Sequence, residues 1–330
     1  MIRIVRWLPL VLALGAGSAS ALDGVPPFHW FPLGDPLPEY GYVFNLDPAG
    51  GVGGFYEGGI PQRSMKVKDY AMATLLGRYA MWKDLEGYCA VPYYWGRSPQ
   101  EYGYGTTRRA GEVTGMDFGD VALGLRWTAW RGADPDRTVN LTGACIFPMA
   151  SNVWTDYPNA TFRETFEPNL PELTFGDGDY EALVSIDAHQ HGDDFRLDAL
   201  AGYIYKFEMR AGEFENYGDR VKIRLPSPLV LRIIPAFRIG EVFWLEGIAE
   251  GFWAPRGRVT TNRGPIGIGN RMEGYGNLLE AHGAAWAGAA LKWEASEQMT
   301  VSLGLSAPVA VHRYYSSWRL CASLERRWSK

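Results

Sequence analysis

The sequence predicts an all-β protein, a transmembrane up-and-down antiparallel β-barrel of about 12 strands with short periplasmic turns and long extracellular loops. Three observations predict this fold. Apolar side chains alternate with small or polar ones over ten or more residues, short and long connections take turns along the chain, and the polar face is rich in glycine and alanine. Alternation sustained over that length is the period of a strand and excludes a helix.

The composition excludes several classes of protein. The 330 residues are 47% hydrophobic and 21% charged, which is enough apolar material to fold and too little charge for disorder. The net charge is -5, without a run of Lys or Arg, so we expect no nucleic-acid partner. Cys89, Cys145 and Cys321 lie far apart and form no C-x-x-C pair, which argues against a zinc site, a haem site or a disulfide framework. We therefore expect no cofactor.

Residues 1–21 have the pattern of a secretory signal peptide. Arg3 and Arg6 precede an apolar run over residues 7–16, and Ala19-Ser20-Ala21 supplies the small residues that a signal peptidase reads. The apolar run is about half the length that a membrane anchor needs. We predict cleavage after Ala21, so the mature chain acts outside the cytoplasm.

Residues 22–39 form a proline-rich segment before the barrel, which we assign to residues 40–330. Five prolines stand among aromatic residues: Pro26, Pro27, Pro32, Pro36 and Pro38. Such a segment is too rich in proline for a β-ladder. Two alternatives remain, a tail in the periplasm and a plug that enters the lumen, and we favour the tail.

The connections predict the number of strands. The short turns lie near residues 83–84, 132–136, 192–194, 240–241 and 296–297, and the long connections near 47–65, 98–116, 150–177, 209–219, 255–277 and 309–315. Six long and five short connections give twelve strands with both termini on the short-turn side. Transmembrane barrels are built in this way, with tight turns at one rim and long loops at the other.

The apolar face of these strands is predicted to contact lipid. In a soluble β-sandwich or propeller, which is the alternative, the polar face would meet water and carry mixed Lys, Glu and Gln. Here it carries glycine and alanine between ionisable groups, as a crowded lumen would. Trp318 and Trp328 have the same parity and stand ten residues apart, which in a tilted strand spans about 25 Å, the height of the apolar band between two aromatic girdles.

Short motifs resemble a known family. Arg78-Tyr79, Lys83-Asp84-Leu85-Glu86 and Val91-Pro92-Tyr93 resemble the strand, turn and strand signature of the outer-membrane family named for the meta-pathway of phenol degradation. Gly119-Asp120, Gly124-Leu125-Arg126-Trp127 and Phe147-Pro148 are similar to its second hairpin. The resemblance covers residues 66–328. It implies a barrel that passes small solutes, hydrophobic or aromatic ones among them, across the outer membrane.

Parity predicts which charged side chains face the lumen. The predicted set is Arg78, Asp120, Arg126, Glu181, Asp187, His189, Arg196, Asp198, Lys206, Lys222, Arg224, Arg232, Arg238, Glu246, Glu250, Glu280, His282, Lys292, Arg319 and Glu325. Both signs are present, so these groups either line a path that orients a solute or selects ions, or pair with one another and hold neighbouring strands together. We place the cations of residues 222–238 on one strand, opposite Glu246 and Glu250 on the next.

Two other classes of function compete with a channel. A barrel hydrolase needs a nucleophile or an acid-base set at the rim. His189 and His191 beside Asp187 offer a metal or acid-base cluster, but we favour a solvated turn there, and His282 is the best single catalytic candidate. We expect no enzyme. A receptor or adhesin would act through the six long loops. The expected partners are outer-membrane lipid, a small solute and the barrel-assembly machinery, in a bacterial outer membrane.

Overall fold

The computed structural model describes residues 27–57, 60–61, 68–102, 109–133, 137–149, 180–207, 209–214, 219–224, 226–261, 264–265, 281–312 and 314–328. The predicted signal peptide and Glu280 lie outside these residues. A 3-10 helix spans Pro27–Trp30. The strands are β1 (Tyr42–Glu57), β2 (Ile60–Pro61), β3 (Lys68–Trp82), β4 (Leu85–Tyr102), β5 (Arg109–Phe118), β6 (Val121–Arg131), β7 (Arg137–Phe147), β8 (Glu181–His191), β9 (Phe195–Lys206), β10 (Met209–Phe214), β11 (Asp219–Arg224), β12 (Leu229–Arg238), β13 (Phe243–Ala254), β14 (Arg258–Thr261), β15 (Gly264–Pro265), β16 (His282–Ser296), β17 (Met299–His312) and β18 (Tyr314–Trp328).

Twelve of these strands form one closed antiparallel barrel. They follow one another in the order β1, β3, β4, β6, β7, β8, β9, β12, β13, β16, β17 and β18. The ring closes where β18 pairs with β1, from Tyr42 opposite Trp328 to Tyr56 opposite Tyr314. β4 pairs with β6 over residues 85–90 and with β5 over residues 93–102, so β5 and β6 lie one after the other along the same edge of β4. The predicted fold class and the predicted strand number are confirmed.

The strands turn their apolar face outward. In β6, Leu125 and Trp127 are each 51% exposed, whereas Ala122 and Arg126 on the opposite face are buried. The same alternation recurs in β8 and β13. An outward belt of exposed Leu, Ile, Val and Trp side chains would be costly in water and is stable in the hydrocarbon core of a bilayer.

Aromatic rings mark the short-turn rim of the barrel. Tyr42 stacks on Trp328 with 4.9 Å between ring centroids, where β1 and β18 meet. The guanidinium of Arg326 lies 4.8 Å from the ring centroid of Trp328, on the outside of the rim. A charge in this position faces the interface and not the hydrocarbon, where it costs little.

Three long connections are shorter than predicted. Residues 47–57 belong to β1 and pair with both neighbouring strands. The glycines and Pro48 do not interrupt the β1–β3 ladder. Residues 98–102 and 109–116 extend β4 and β5 as a paired hairpin. β17 runs to residue 312 and β18 begins at residue 314, because a bulge at Val309 lets the β16–β17 ladder continue beyond Pro308. Most of the loops that a receptor would use lie outside the described residues.

The prediction that the cations of residues 222–238 lie on one strand is also wrong, because two strands cover these residues. β11 pairs with β10 and β14 in a separate four-stranded sheet, and β12 alone lies in the barrel wall. Pro226 and Pro228 stand between them and cannot donate to a ladder. Lys222 and Arg224 therefore lie on the small sheet, where the Arg224 guanidinium covers the ring of Tyr205 at 4.5 Å.

The N-terminal segment of residues 27–39 lies inside the barrel. Phe28, Phe31 and Leu37 are each at most 7% exposed. Phe28 and Phe31 belong to one buried cluster with lumen-facing side chains of the wall, among them Leu76, Leu200 and Trp286. This placement corresponds to the plug alternative and not to the tail that we favoured, because the aromatic side chains between the prolines gain a buried apolar environment there.

Candidate functional site in the barrel lumen

The plug, residues 27–39, is attached to the wall through its backbone. The amide of Leu37 donates to Glu86 Oε1 at 2.6 Å, and Arg126 Nη2 donates to the carbonyl of Gly34 at 2.8 Å. Arg78 Nη1 donates to the carbonyl of Asp35 at 3.0 Å. Gly34 has a φ of 94°, a conformation that glycine adopts without strain. The wall charges thus bind the peptide groups of a turn that glycine makes possible.

Aromatic side chains complete the attachment. Trp30 Nε1 donates to the carbonyl of Asp120 at 3.0 Å, and His29 Nε2 lies 2.8 Å from Tyr94 Oη. The ring of Phe28 meets Trp286 edge to face. These contacts fix the plug near the break between β5 and β6, where Asp120 also accepts a bond from the backbone of residue 149.

Buried charges link four strands of the wall behind the plug. Glu86 Oε2 lies 3.2 Å from Arg78 Nη1 and 3.5 Å from Arg126 Nη1. Arg126 also binds Asp187 at two points, with Nε to Oδ1 at 3.3 Å and Nη2 to Oδ2 at 2.7 Å. Asn140 Nδ2 donates to the same Asp187 Oδ2 at 2.7 Å. A buried charge is tolerated when it is paired and hydrogen-bonded, and each of these groups is.

A chain of alternating carboxylates and imidazoles continues from Asp187. His189 Nε2 lies 2.5 Å from Asp187 Oδ2, and His189 Nδ1 contacts Asp198 Oδ1. Asp198 Oδ1 lies 2.9 Å from His191 Nε2, and His191 Nδ1 lies 2.7 Å from Asp35 Oδ1. His189 is 4% exposed, so the solvated turn that we favoured for it is wrong. Residues 189 and 191 share the lumenal face because they are two apart in a strand.

Asp35 ends this chain on the plug. Burial raises the pKa of its carboxyl, but the hydrogen bond from His191 and the charges of His191 and Arg327 outweigh burial and hold the pKa well below its usual range. Arg327 Nη1 lies 3.5 Å from Asp35 Oδ2, and Arg327 also contacts Glu325. The plug is therefore connected to two opposite parts of the wall, β8 and β18.

A second charge cluster lies across the lumen. Glu250 is 7% exposed and has Arg232 Nε and Arg319 Nη2 each at 2.6 Å from its carboxylate oxygens. The guanidinium of Arg319 also lies 4.3 Å from the ring centroid of Trp286. These residues come from β12, β13, β16 and β18, so the cluster joins four strands.

The predicted lumen set divides into five groups. Those that form ion pairs in the lumen are Arg78, Arg126, Glu181, Asp187, His189, Arg196, Asp198, Lys206, Arg232, Glu246, Glu250, Lys292, Arg319 and Glu325. Asp120 and His282 are buried. Arg238 lies exposed at the short-turn rim, where it donates to the carbonyls of residues 240 and 241. Lys222 and Arg224 lie on the small sheet, and Glu280 is outside the described residues.

Several lumenal groups were missed. Glu86 stands at the same parity as Tyr88 and Ala90, and Arg327 at the same parity as Glu325, so alternation alone would have found both. Asp35 carried no signal, because nothing in a proline-rich segment tells which side chain meets the wall. Cys145 is exposed, Cys321 borders the lumenal cavity, and the three cysteines are free.

Two cavities remain beside the plug. One, of about 230 Å³, is lined by apolar side chains such as Phe28 and Phe31 and by charged side chains of both signs, among them Arg232, Arg319 and Glu250. The other, of about 460 Å³, opens at the short-turn rim beside Asp35, His191 and Arg327. Both are bordered by the same five residues, Gly34, Asp198, Lys292, Thr300 and Glu325. The cavities therefore adjoin each other.

Among the described residues, no helix is long and apolar enough to cross a membrane.

The closed ring, the outward apolar belt and the charged lumen define a β-barrel of the bacterial outer membrane. The chain is similar to the crystal structure of an outer membrane channel from Pseudomonas putida F1, with 13% identity, a TM-score of 0.61, and 92% of this chain and 100% of that chain covered. This likeness supports the fold. The sequence matches no protein-family model and no curated protein.

Other solved barrels superpose less closely. The NanC porin covers 84% of this chain and 98% of its own at 9% identity and a TM-score of 0.41. The translocator domain of the autotransporter NalP from Neisseria meningitidis covers 89% of this chain and 90% of its own at 8% identity and a TM-score of 0.43.

Proposed function

We propose that the barrel is a narrow outer-membrane channel for small solutes, hydrophobic or aromatic ones among them. The observation that carries the proposal is the cavity of about 230 Å³ beside the plug, which is lined by aromatic and aliphatic side chains together with charged side chains of both signs. Ligand sites are commonly apolar with a few polar groups that fix orientation. Such a site suits an aromatic ring that bears an anionic or polar group.

The adjoining cavity supplies the way out. It opens at the short-turn rim, which we take as the periplasmic side. A solute that leaves the first cavity would pass Lys292 and Glu325, which border both. Charges of both signs along this route would orient a polar solute without trapping it.

The plug sets the resting permeability in this proposal. Twelve tilted strands give a backbone radius of about 12 Å, which exceeds what one layer of side chains fills. Residues 27–39 occupy part of that space, so we expect low conductance until the segment shifts. The resemblance of Arg78-Tyr79 and of the motif at residues 124–127 to the meta-pathway outer-membrane family supports aromatic solutes. We expect the barrel-assembly machinery to insert the chain.

Reconstitution in planar bilayers tests the proposal. The intact protein should show small, infrequent openings, and a variant lacking residues 27–39 should conduct several-fold more, because the space that the plug fills becomes water. Aromatic carboxylates should block the intact channel more strongly than aliphatic ones of equal charge. Phe28→Ala should weaken that block, whereas Leu125→Ala on the lipid face should not. Equal block by both kinds of solute, or equal conductance with and without the plug, would count against the proposal.

We also propose that the barrel is not an enzyme. His282 lies buried, with its ring 6.0 Å from that of Phe252, in an apolar neighbourhood. The measurement is hydrolysis of phospholipid or peptide by the protein in liposomes. A hydrolytic rate that His282→Ala abolishes would refute this part of the proposal.

A further inference from the structure

Three side chains in the lumen bring metal-binding atoms together. Asp35, His189 and His191 each offer one ligand atom, and these atoms lie within 4.8 Å of one another. The two histidines lie at the end of β8, next to the turn that follows it, and Asp35 lies in the plug. A cation bound by all three would join the plug to the barrel wall.

The groups around His189 already orient its ring. His189 Nε2 lies 2.5 Å from Asp187 Oδ2 and 2.9 Å from Arg126 Nη2, and a proton on Nε2 that is directed at Asp187 would leave the Nδ1 lone pair for a cation. Asp187 is itself held by Asn140 and Arg126, each at 2.7 Å. A histidine that binds a metal almost always donates its other ring N–H to a carboxylate or carbonyl, which fixes the ring. His189 has this support in place.

Asp198 lies beside these three groups. Its Oδ1 contacts His189 Nδ1 and lies 2.9 Å from His191 Nε2, whereas Asp35 faces His191 Nδ1, so the two carboxylates lie on opposite edges of the His191 ring. A cation that replaces the proton between Asp35 and His191 would have three protein ligands and one water. Ligand atoms about 3.4 Å apart would satisfy a tetrahedral ion with bonds of about 2.0–2.1 Å. Small rotations of the Asp35 and His191 side chains would bring their atoms to that spacing.

The local charge favours a divalent cation. In the connected network of described residues, the carboxylates are Asp35, Glu86, Asp187, Asp198 and Glu325, and the guanidiniums are Arg78, Arg126 and Arg327. Once both imidazoles have released their protons, the five carboxylates exceed the three guanidiniums by two, and a divalent cation balances that excess. The cavity of about 460 Å³ at the short-turn rim reaches Asp35, His191 and Asp198, so an ion can enter from that side.

We propose that Asp35, His189 and His191 bind one divalent transition-metal cation of the Zn²⁺ class, which clamps the plug to β8. Imidazole with carboxylate suits Zn²⁺, Cu²⁺ and Ni²⁺, whereas Ca²⁺ and Mg²⁺ prefer oxygen ligands throughout. The site uses no cysteine, so it differs from the cysteine-rich zinc sites that the spacing of the cysteines argued against. The site does not require the barrel to be a channel.

The test is metal binding by the full protein in detergent micelles after removal of metals with a chelator. Titration calorimetry with ZnCl₂ at neutral pH should give one Zn²⁺ per chain, with release of protons. Co²⁺ should give the visible absorption of a tetrahedral N/O site. Asp35→Asn and His191→Gln should each weaken Zn²⁺ binding at least about tenfold. The matched control is His312→Gln, at an exposed histidine at the end of β17, which should bind as the parent does.

Two further measurements separate a lost site from a damaged barrel. Heat-modifiable migration on gels should show that each variant retains a folded barrel, and Asp35 lies outside the wall strands. Hydrogen exchange at the amides of residues 31–37 should slow when Zn²⁺ is added to the parent and not in Asp35→Asn. Zn²⁺ binding that survives in the double variant Asp35→Asn/His191→Gln, or that leaves exchange in the plug unchanged, would overturn the proposal.

Discussion

Gly202 on β9 makes room for the plug, and replacing it with alanine should loosen the plug. A Cβ at this position would lie 2.7 Å from Phe31 Cζ and 3.1 Å from Phe31 Cδ1. Carbon atoms in contact prefer about 3.5–4.0 Å, so the ring would have to move by about 1 Å. Bonds to Trp30 and Gly34 on either side limit that movement.

The magnitude follows from overpacking. Extra methyl groups in a packed interior cost about 1–3 kcal/mol, which corresponds to an increase of about 5- to 140-fold in the population with the plug displaced. The assay is the frequency of channel openings in a planar bilayer, together with hydrogen exchange at residues 31–37. Both should rise in Gly202→Ala.

A matched control is available on the outer face. A Cβ at Gly143 would meet no atom within 4 Å, so Gly143→Ala should behave as the parent. In a Phe31→Ala background, Gly202→Ala should add little, because the ring that it displaces is gone. The reasoning is refuted if Gly202→Ala and Gly143→Ala cannot be distinguished in opening frequency and in exchange.

Three further perturbations address the charges and the lipid face. The pKa of Asp35 is lowered in the folded protein, so its contribution to docking of the plug is present above the ordinary carboxyl pKa of about 3.9 and is lost as the pH falls below that value. Hydrogen exchange of the plug should therefore rise on acidification by a larger factor in the parent than in Asp35→Asn. Glu250→Gln leaves two arginines beside the cavity without their carboxylate, so the reversal potential in a KCl gradient should shift toward anion selectivity. Arg232→Gln should shift the reversal potential the opposite way. Shifts of the same sign would contradict the pairing. Leu125→Arg puts a charge on the lipid face near the middle of β6 and should lower the free energy of unfolding in lipid vesicles by about 2–4 kcal/mol. Arg326 at the rim is the native example of a tolerated charge. An unchanged denaturation midpoint in Leu125→Arg would argue against a lipid contact at residue 125.

The barrel wall was predictable from the sequence because alternation is a local signal. Within each wall strand the alternation shows which face is inside, as Leu125 and Arg126 do in β6. The antiparallel meander then pairs strands that are neighbours along the chain. Errors arose where a residue type was given one meaning. The glycines of β1 lie in a predicted connection although a ladder tolerates glycine, and the predicted connection over residues 309–315 lies largely within β17 and β18, where a bulge at Val309 lets the ladder continue.

The lumenal site was less predictable because its contacts are long-range and involve backbone atoms. Arg126 binds the carbonyl of Gly34 across 92 residues, and Glu86 binds the amide of Leu37 across 49. Every residue has a peptide group, so composition and spacing do not indicate which carbonyl Arg126 binds or which amide donates to Glu86. Parity found the wall arginines but not what they hold.

The wall charges and the plug explain each other. Arg78, Arg126 and Glu86 are buried, and a buried charge without partners costs several kcal/mol. Cross-strand pairing satisfies part of their hydrogen-bonding capacity, and the carbonyls of Asp35 and Gly34 and the amide of Leu37 satisfy more. The plug in turn has little secondary structure of its own, so these bonds replace the ladder that its prolines prevent. Displacing the plug must therefore let water into the lumen to solvate the charges that it leaves, so in the proposed channel, opening and hydration of this charge cluster are one event.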